Sequence, residues 1–584
     1  TVETKTTTEY DGCMKVELTL KPGEERGPLG SLTLDIPLKD SMVPLWHLCT
    51  MGLRGNPAGY TPEGEGEVWR SRGQYGTGRQ HGNASRRGNW EPYIWLGAEE
   101  RGLSWFCDND AGWVADYENN APAMTLHRDG GGLTLRIHLV QKPITIDEPR
   151  TIVFGLMASP AKPMPENWRN ILQSVMWKRA GSVGSAEDYE LFEWMGSQYW
   201  GAELIFAGKY PVNKDMTPLD LIYRMWRGED VDLDAELDAW QARHQDNWPE
   251  KSQKDIDKVR NLIRNSALWA GRLPGDITVY WEEFIKASWT SQEVSTFGWE
   301  WTSGVRLTPN MTESFQNYAT YYGAEFLRRG IGLYFDNTFP EPAFDPVTST
   351  AYRQPDGHVQ PSAGIWARRE YLQRIWKMHR NLPPEGANPK MMLHMTNTHI
   401  LPYMVWADAN LDLEWRINRL PRQRAFSPEL LRAESIGLQT GNLPMALPNP
   451  RDELSQFGIG MVHEMRSRYI HPRARVMLEE MLKFGYGRGA KVVNYWDENA
   501  PFTASDDQCK WLLMIHEGEA LVLLCTWNPE DTDVTFTLDE QAAGVDVAEV
   551  VNVESGKTFQ SVNGVFDVNV PGYGIQLLRL KSAE

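Results

Sequence analysis

The sequence predicts a multidomain chain of α/β and all-β character: an N-terminal β-sandwich, a central (β/α)8 barrel of the TIM type and a C-terminal antiparallel β-sandwich. Three observations carry that expectation. Apolar residues recur with period two through the first ~190 residues, short apolar runs then alternate with helical periods over ~230 residues, and period two returns without helices from residue 510. Alternating strand and helix marks a parallel sheet, and the length of the stretch suits a barrel better than a doubly wound sheet. The 584 residues are enough for roughly three or four domains, expected here at 1–250, 251–507 and 508–584.

Within the first region the strand signals are "KVELTL" (15–20), "SLTLDIPL" (31–38), "LTLRIHLV" (133–140) and "TIVFGLMASP" (151–160). Between them lies "WRSRGQYGTGRQHGNASRRGNW" (69–90), too polar and glycine-rich for a core element, and read as a long loop that brings Trp90 or its neighbours to the barrel mouth. Helical spacing follows at 251–270, 311–330 and 365–380. The alternating strands are "DITVYW" (276–281), "IGLYF" (331–335), "MMLHM" (391–395), "IGMVHEM" (459–465) and "AKVVNYW" (490–496). "ALVLLCTW", "DVTFTL", "DVAEVVNV", "GVFDVNV" and "GIQLLRL" build the last sandwich.

Composition narrows the function. A net charge of −19 argues against a nucleic-acid surface, which needs cations to neutralise phosphates. No run approaches the ~20 apolar residues of a membrane span, so no membrane insertion is expected. Five scattered cysteines, none in a Cys-x-x-Cys pair, signal neither a disulfide framework nor a zinc knuckle, and no glycine-rich phosphate loop joins a strand to a helix. No cofactor and no metal are expected, and no signal sets an oligomeric state. The chain starts at Thr1 without Met, which suggests a removed leader and a periplasmic or secreted protein. The 25 Trp and 21 Tyr offer flat faces that suit sugar rings as well as protein cores.

Acids gather where the barrel strands are expected to end, the position from which barrel chemistry is done. Asp336 and Asn337 follow "IGLYF", Asp408, Asp412 and Glu414 lie in "WADANLDLEWR" (406–416), and Asp497 and Glu498 follow "KVVNYW". Two convergent carboxyl groups, aromatic platforms and no cofactor motif are the requirements of glycoside hydrolysis, in which one acid protonates the leaving oxygen and the other attacks carbon or activates water. Asp336 is expected as nucleophile or stabilising carboxylate. Glu414, between Leu413 and Trp415, is expected as general acid/base because apolar neighbours disfavour its charge, with Asp412 as the alternative. Trp281, Tyr334, Asn337, His394, Asn397, Trp406, Asp408, Arg416, Trp496, Asp497 and Glu498 are the candidate sugar contacts, although His394, like His463, also reads as a hydrogen-bonded core histidine.

The segments "WEPYIWLGAEERGLSWFCDNDAGW" (90–113) and "TIVFGLMASPAKPMP" (151–165), with "GLYFDNTF" and "YMVWADANLDLEWR" after them, resemble a family of large bacterial glycoside-hydrolase-like proteins of mostly unassigned specificity. That family is distantly similar to the β-N-acetylgalactosaminidases, which have a sandwich before their barrel. The resemblance implies a carbohydrate substrate and the three-part architecture. In those relatives an adjacent Asp-Glu pair serves a substrate-assisted mechanism, whereas Asp336-Asn337 stands here, and the "YFD" strand with acids further on is also similar to retaining α-galactosidase-type barrels. An exo-acting, retaining hydrolase is therefore expected. The rival readings are a carbohydrate-binding protein without catalysis and a polysaccharide lyase acting on a uronate-containing glycan, with the Arg-rich loop neutralising the acid.

Overall fold

The computed structural model describes residues 1–24, 27–51, 55–72, 86–192, 229–244, 278–280, 294–295, 306–307, 312–328, 330, 332–335, 338–340, 342–343, 346–347, 349–394, 396–414, 420–447, 452–467 and 471–582. They fall into two compact units. The first comprises 1–57, 61–162 and 193–409, the second 58–60, 163–192 and 410–584.

The first unit opens with strands β1 (Val2–Thr8), β2 (Met14–Leu20), β3 (Leu32–Lys39), β4 (Leu45–Cys49), β5 (Gly66–Arg70), β6 (Tyr93–Ala98), β7 (Arg101–Phe106), β8 (Met124–Asp129), β9 (Gly132–Val140) and β10 (Arg150–Ser159). One antiparallel sheet runs β1-β2-β10-β7-β6-β4 and a second β3-β9-β8-β5. The period-two signal is realised literally in β9, where Leu133, Leu135, Ile137 and Leu139 are buried between less buried neighbours. Gly155 in β10 has a steric reason: a Cβ there would come within 2.2 Å of the Phe106 ring.

After the sandwich, strands β11 (Thr278–Tyr280), β12 (Gly332–Phe335) and β13 (Met391–His394) pair in parallel, β11 with β12 and β12 with β13. Helix α1 (Glu313–Leu327) precedes β12, and α2 (Ile365–Asn381) lies between β12 and β13. β12 and β13 are buried along their whole length, as a strand covered on both faces must be. In α2 the buried Ile365, Tyr371, Leu372, Ile375 and His379 form the inward stripe. The expected helix at 251–270 lies outside the described residues.

A pair of sandwich acids fastens this parallel layer. Helix α2 is preceded by Gly364 in the left-handed region (φ 64°), which supplies no side chain to satisfy the first N–H groups of the helix. Asp108, in the loop after β7, takes that role: its Oδ1 accepts from the N–H of Ile365 (2.6 Å) and Trp366 (3.3 Å), and its Oδ2 from the Thr350 hydroxyl (2.9 Å). Two residues on, Asp110 accepts from the hydroxyls of Tyr117 (2.7 Å) and Tyr352 (2.9 Å) and from Gln360 Nε2 (2.9 Å). Burial raises both carboxyl groups above the usual range, against the pull of these hydrogen bonds. Arg87 extends the contact through Gln354 (2.9 Å) and Gln360 (2.9 Å).

The end of the 69–90 loop therefore does meet the segment after β12, but through Arg87; residues 73–85 lie outside the described ones. Trp90 is buried in the core, because Arg86 covers its indole (5.2 Å) and binds its carbonyl (2.7 Å).

In the second unit, β14 (Ala409–Asp412) leads in, followed by β15 (Leu443–Ala446), α3 (Glu453–Met461), α4 (Pro472–Lys483) and β16 (Lys491–Asn494). Two expectations are corrected here. The run at 459–465 ends a helix instead of forming a strand, since Asp452 caps α3 by accepting from Ser455 N (3.4 Å). The run at 490–496 contains β16, which is no barrel strand: it pairs antiparallel with β18 (Cys509–His516), so the terminal sandwich already includes it. That sandwich continues through β17 (Phe502–Ala504), β19 (Glu519–Thr526), β20 (Thr532–Leu538), β21 (Glu549–Asn552), β22 (Thr558–Gln560), β23 (Val565–Val570) and β24 (Ile575–Lys581). Its sheets run β16-β18-β19-β24-β21-β22 and β17-β20-β23, around a core in which Phe536 stacks between Phe502 (5.6 Å) and Phe566 (5.7 Å).

Asp108→Ala should remove the cap of α2 and the partner of Thr350 together, lowering stability by about 1–3 kcal/mol in urea unfolding. An unchanged midpoint would mean that the helix start is satisfied without the sandwich.

Candidate active site

Parallel pairing places Tyr334 beside Met392 and Phe335 beside Leu393, so the C-terminal ends of β12 and β13 lie side by side. There the Tyr334 hydroxyl and His394 Nδ1 are 2.6 Å apart, and the Thr338 N–H donates to the His394 carbonyl (2.7 Å). Both rings are buried, so they brace the strand ends and present no open face to a sugar. Asn397 follows in the left-handed region (φ 65°), and its carbonyl accepts from Asn56 Nδ2 (2.6 Å). His47, from β4, is pushed down to about 3 by burial and by the neighbouring His399, against hydrogen bonds to the backbone of Asn397 and His399. Asp336, Asn337, Trp281 and Arg416 lie outside the described residues.

Two expected contacts belong elsewhere. Asp408 binds the opening residue of β13: its Oδ2 accepts from Met391 N (2.8 Å), while its own N–H donates to the Met391 carbonyl (2.8 Å). That is the N-terminal end of the strand, away from His394. Burial would raise this carboxyl, but His379, Arg380 (2.6 Å) and Lys390 hold it below the usual range. It is a structural ion pair. Trp406 is buried between Tyr10 (ring centroids 5.7 Å) and the Arg369 guanidinium (5.0 Å), leaving no platform for a sugar.

In the second unit, Asp412 ends β14 and is fully buried. Its Oδ1 accepts from the N–H of Leu413 (2.6 Å) and its Oδ2 from the Ser435 hydroxyl (2.6 Å). The first bond curls the carboxylate back on the chain and coincides with the left-handed backbone of Leu413 (φ 67°), a conformation that costs a leucine about 1–2 kcal/mol. The Leu413 carbonyl accepts from Arg422 Nη2. Arg422 is fully buried, its Nε and Nη1 have no hydrogen-bond partner among the described residues, and burial lowers it to about 10 against the attraction of Asp452 and Asp412.

Ser435 closes a π-helical turn, Leu431–Ser435, which also carries the buried Glu434. A Glu434 carboxylate oxygen lies within 4.8 Å of one on Asp412. Two charges at that spacing would repel by roughly 3–4 kcal/mol at an effective dielectric constant of about 20. Glu434 did not stand out in the sequence, because "ELLRAESIGL" reads as an ordinary amphipathic stretch and a π turn has no simple sequence signal. Glu414, two residues past Asp412, is half-buried.

The late acids do not join this group. Asp497 and Glu498 are exposed on the turn after β16, where Asp497 Oδ2 accepts from Asn494 N (2.9 Å). Trp496 stacks on His463 (5.6 Å), whose Nδ1 and Nε2 meet the Ile459 carbonyl (2.7 Å) and the Tyr495 hydroxyl (2.8 Å). Burial pushes His463 down to about 3, as befits a neutral core histidine. A buried acid that sequence reasoning missed is Glu464, held in the left-handed region (φ 56°) by Arg169 (2.6 and 2.7 Å), Tyr486 (3.1 Å) and Asn494 (3.1 Å).

Residues 479–568 match the family model for the glycoside hydrolase 123 C-terminal domain. Over those residues the chain is similar to a domain of glycoside hydrolases. The match takes in the end of α4 and most of the terminal sandwich, with Asp497 and Glu498 but neither Asp412 nor Glu434. No curated protein matches the chain. Similar solved structures include a GH27 β-L-arabinopyranosidase from Geobacillus stearothermophilus, at 11% identity over 50% of this chain and 68% of that one (TM-score 0.34). A GH30 endoxylanase from Clostridium papyrosolvens is 12% identical over 70% and 95% (TM-score 0.32), and α-galactosidase I from Mortierella vinacea 11% over 56% and 80% (TM-score 0.32). Likenesses of this degree carry no argument about activity.

Asp408→Asn should destabilise the protein by about 3–5 kcal/mol at neutral pH, because the cations around it lose their counter-charge. The folded-state carboxyl is depressed, so the deficit is full above about pH 4 and closes as the pH falls through the depressed value. Denaturant titrations at neutral and acid pH would read it; a deficit independent of pH would contradict the ion-pair role.

Proposed function

We propose that the protein hydrolyses glycosidic bonds of an oligo- or polysaccharide with two carboxyl groups, acting from the chain end with retained configuration. In this reading β11, β12 and β13 belong to a (β/α)8 barrel, and the protein works in the periplasm or outside the cell. The observation that carries it is Asp412: a fully buried carboxylate at a strand end, both oxygens accepting 2.6 Å hydrogen bonds, with a second carboxyl oxygen within 4.8 Å. The domain match at 479–568 supports the same class of chemistry.

The roles follow from these contacts. Hydrogen bonds to both oxygens fix the Asp412 carboxyl group at the strand end, which suits it to balance positive charge developing at the anomeric carbon. Asp336, which lies outside the described residues, is the sequence candidate for the nucleophile or stabilising carboxylate. The proton for the leaving oxygen then comes from a carboxyl group beside Asp412, for which Glu414 is the sequence candidate.

A glycan panel read by mass spectrometry tests the reading. Wild-type protein should release sugars without an unsaturated product, and Asp336→Asn and Asp412→Asn should each slow release by at least about 10²-fold while remaining folded. Ser435→Ala, which removes one donor to a charged group, should cost about 1.5–3 kcal/mol of transition-state stabilisation. Binding without products would instead favour a carbohydrate-binding protein, and an unsaturated product a lyase.

A further inference from the structure

We propose that the second unit carries a binding site for a neutral sugar in a cavity between the end of α4 and the end of β18. The cavity has a volume of about 490 Å³ and is lined by Asn170, Asp188, Lys483, Gly485, Arg488 and His516. That volume falls within the range of small-molecule sites, about 300–1,000 Å³. The site shares no residue with the Asp412 group. It goes beyond the hydrolase reading and rests on it only for the choice of a sugar among polyhydroxylated ligands.

The stretch "FGYGRGAK" (484–491) builds the cavity by turning the chain from α4 into β16. Gly487 (φ 74°) admits the segment that bears Asn170, since a Cβ there would come within 2.6 Å of the Arg169 carbonyl oxygen. Asn170 then ties segment to loop: its Nδ2 donates to the carbonyls of Asp188 and Gly487 (3.4 Å), and its Oδ1 accepts from Glu190 N (3.0 Å). Arg488 is held by the Leu482 carbonyl (3.0 Å), Asp188 Oδ2 (3.2 Å) and the Tyr189 ring (5.2 Å). His516, the last residue of β18, packs edge-on against Phe484 (6.1 Å).

Charge and hydrogen bonding select the ligand. Arg488 is paired with Asp188, and Lys483 with Glu479 (2.7 Å) and Glu480 (3.1 Å), so the cavity offers no unpaired lysine or arginine to a phosphate, sulfate or carboxylate. Its side chains are polar or charged, which disfavours an apolar ligand that would desolvate them without replacing water. Hydroxyl groups both donate and accept, and the cavity meets them with both. Asp188 spends Oδ2 on Arg488 and Ser185 N (2.8 Å) and leaves Oδ1 to accept; Lys483 has a third N–H to donate. Asn170 and Arg488 are already fixed by the protein, so binding need not order them.

A glycan array of neutral, sulfated and uronate-containing oligosaccharides, followed by calorimetric titration of the best binder, tests the proposal on the full chain. A neutral glycan should bind with an affinity that is unchanged between low and high salt. His516→Ala and Asp188→Asn should each weaken it by about 10-fold or more with the unfolding midpoint unchanged, and Asp412→Asn should leave it intact. Absence of neutral binders, binding of anionic glycans alone with a steep loss in salt, or wild-type affinity in both cavity variants overturns the proposal. A chain that binds through His516 and Asp188 but cleaves no glycoside sinks the hydrolase reading and leaves this site standing.

Discussion

A buried carboxylate must find donors inside the protein, and in the first unit that requirement joins the β-sandwich to the parallel layer. Asp108 and Asp110 have lost water, and their donors come largely from the stretch between β12 and α2: Thr350, Tyr352, Gln360, Ile365 and Trp366. Because Gly364 offers helix α2 no cap of its own, the helix start depends on a side chain from another part of the chain. The loop that follows Phe335, and with it the end of β12, is thereby tied to the sandwich.

The buried acids of this protein differ in what holds them, and the difference sorts structure from chemistry. Asp408 is surrounded by His379, Arg380 and Lys390, and Glu464 by a bidentate Arg169. In such pairs charge offsets charge, and the group gains no reason to react. Asp412 is held by a backbone N–H and a hydroxyl, with an arginine attracted from beside it and another acid within 4.8 Å. In the proposed reading, a carboxylate oriented by such donors acts on the substrate.

Much of the fold was legible in periodicity. Strands β2, β3, β9 and β10 and helices α1 and α2 lie where alternation and helical spacing place them, because each buries one face and leaves the other wetter. The run at 490–496 misled for a physical reason: a short strand around two valines looks the same in a parallel barrel and in an antiparallel sandwich, and its partner, β18, distinguishes them. The site was partly legible. Asp412 stood out as an acid after an apolar run, but so did Asp408, and nothing local reveals that one ends its strand while the other binds the start of β13. Glu434 and Glu464 were hidden, since an isolated acid in a helical stretch usually faces water and their burial is set by distant residues.

The central claim is that two carboxyl groups cleave a glycosidic bond by a double displacement. The anomeric form of the first sugar released, followed by proton nuclear magnetic resonance before mutarotation, tests it most directly. A carboxylate that attacks the anomeric carbon is displaced by water in a second step from the same face, so the account predicts a product of retained configuration. A product of inverted configuration would contradict it.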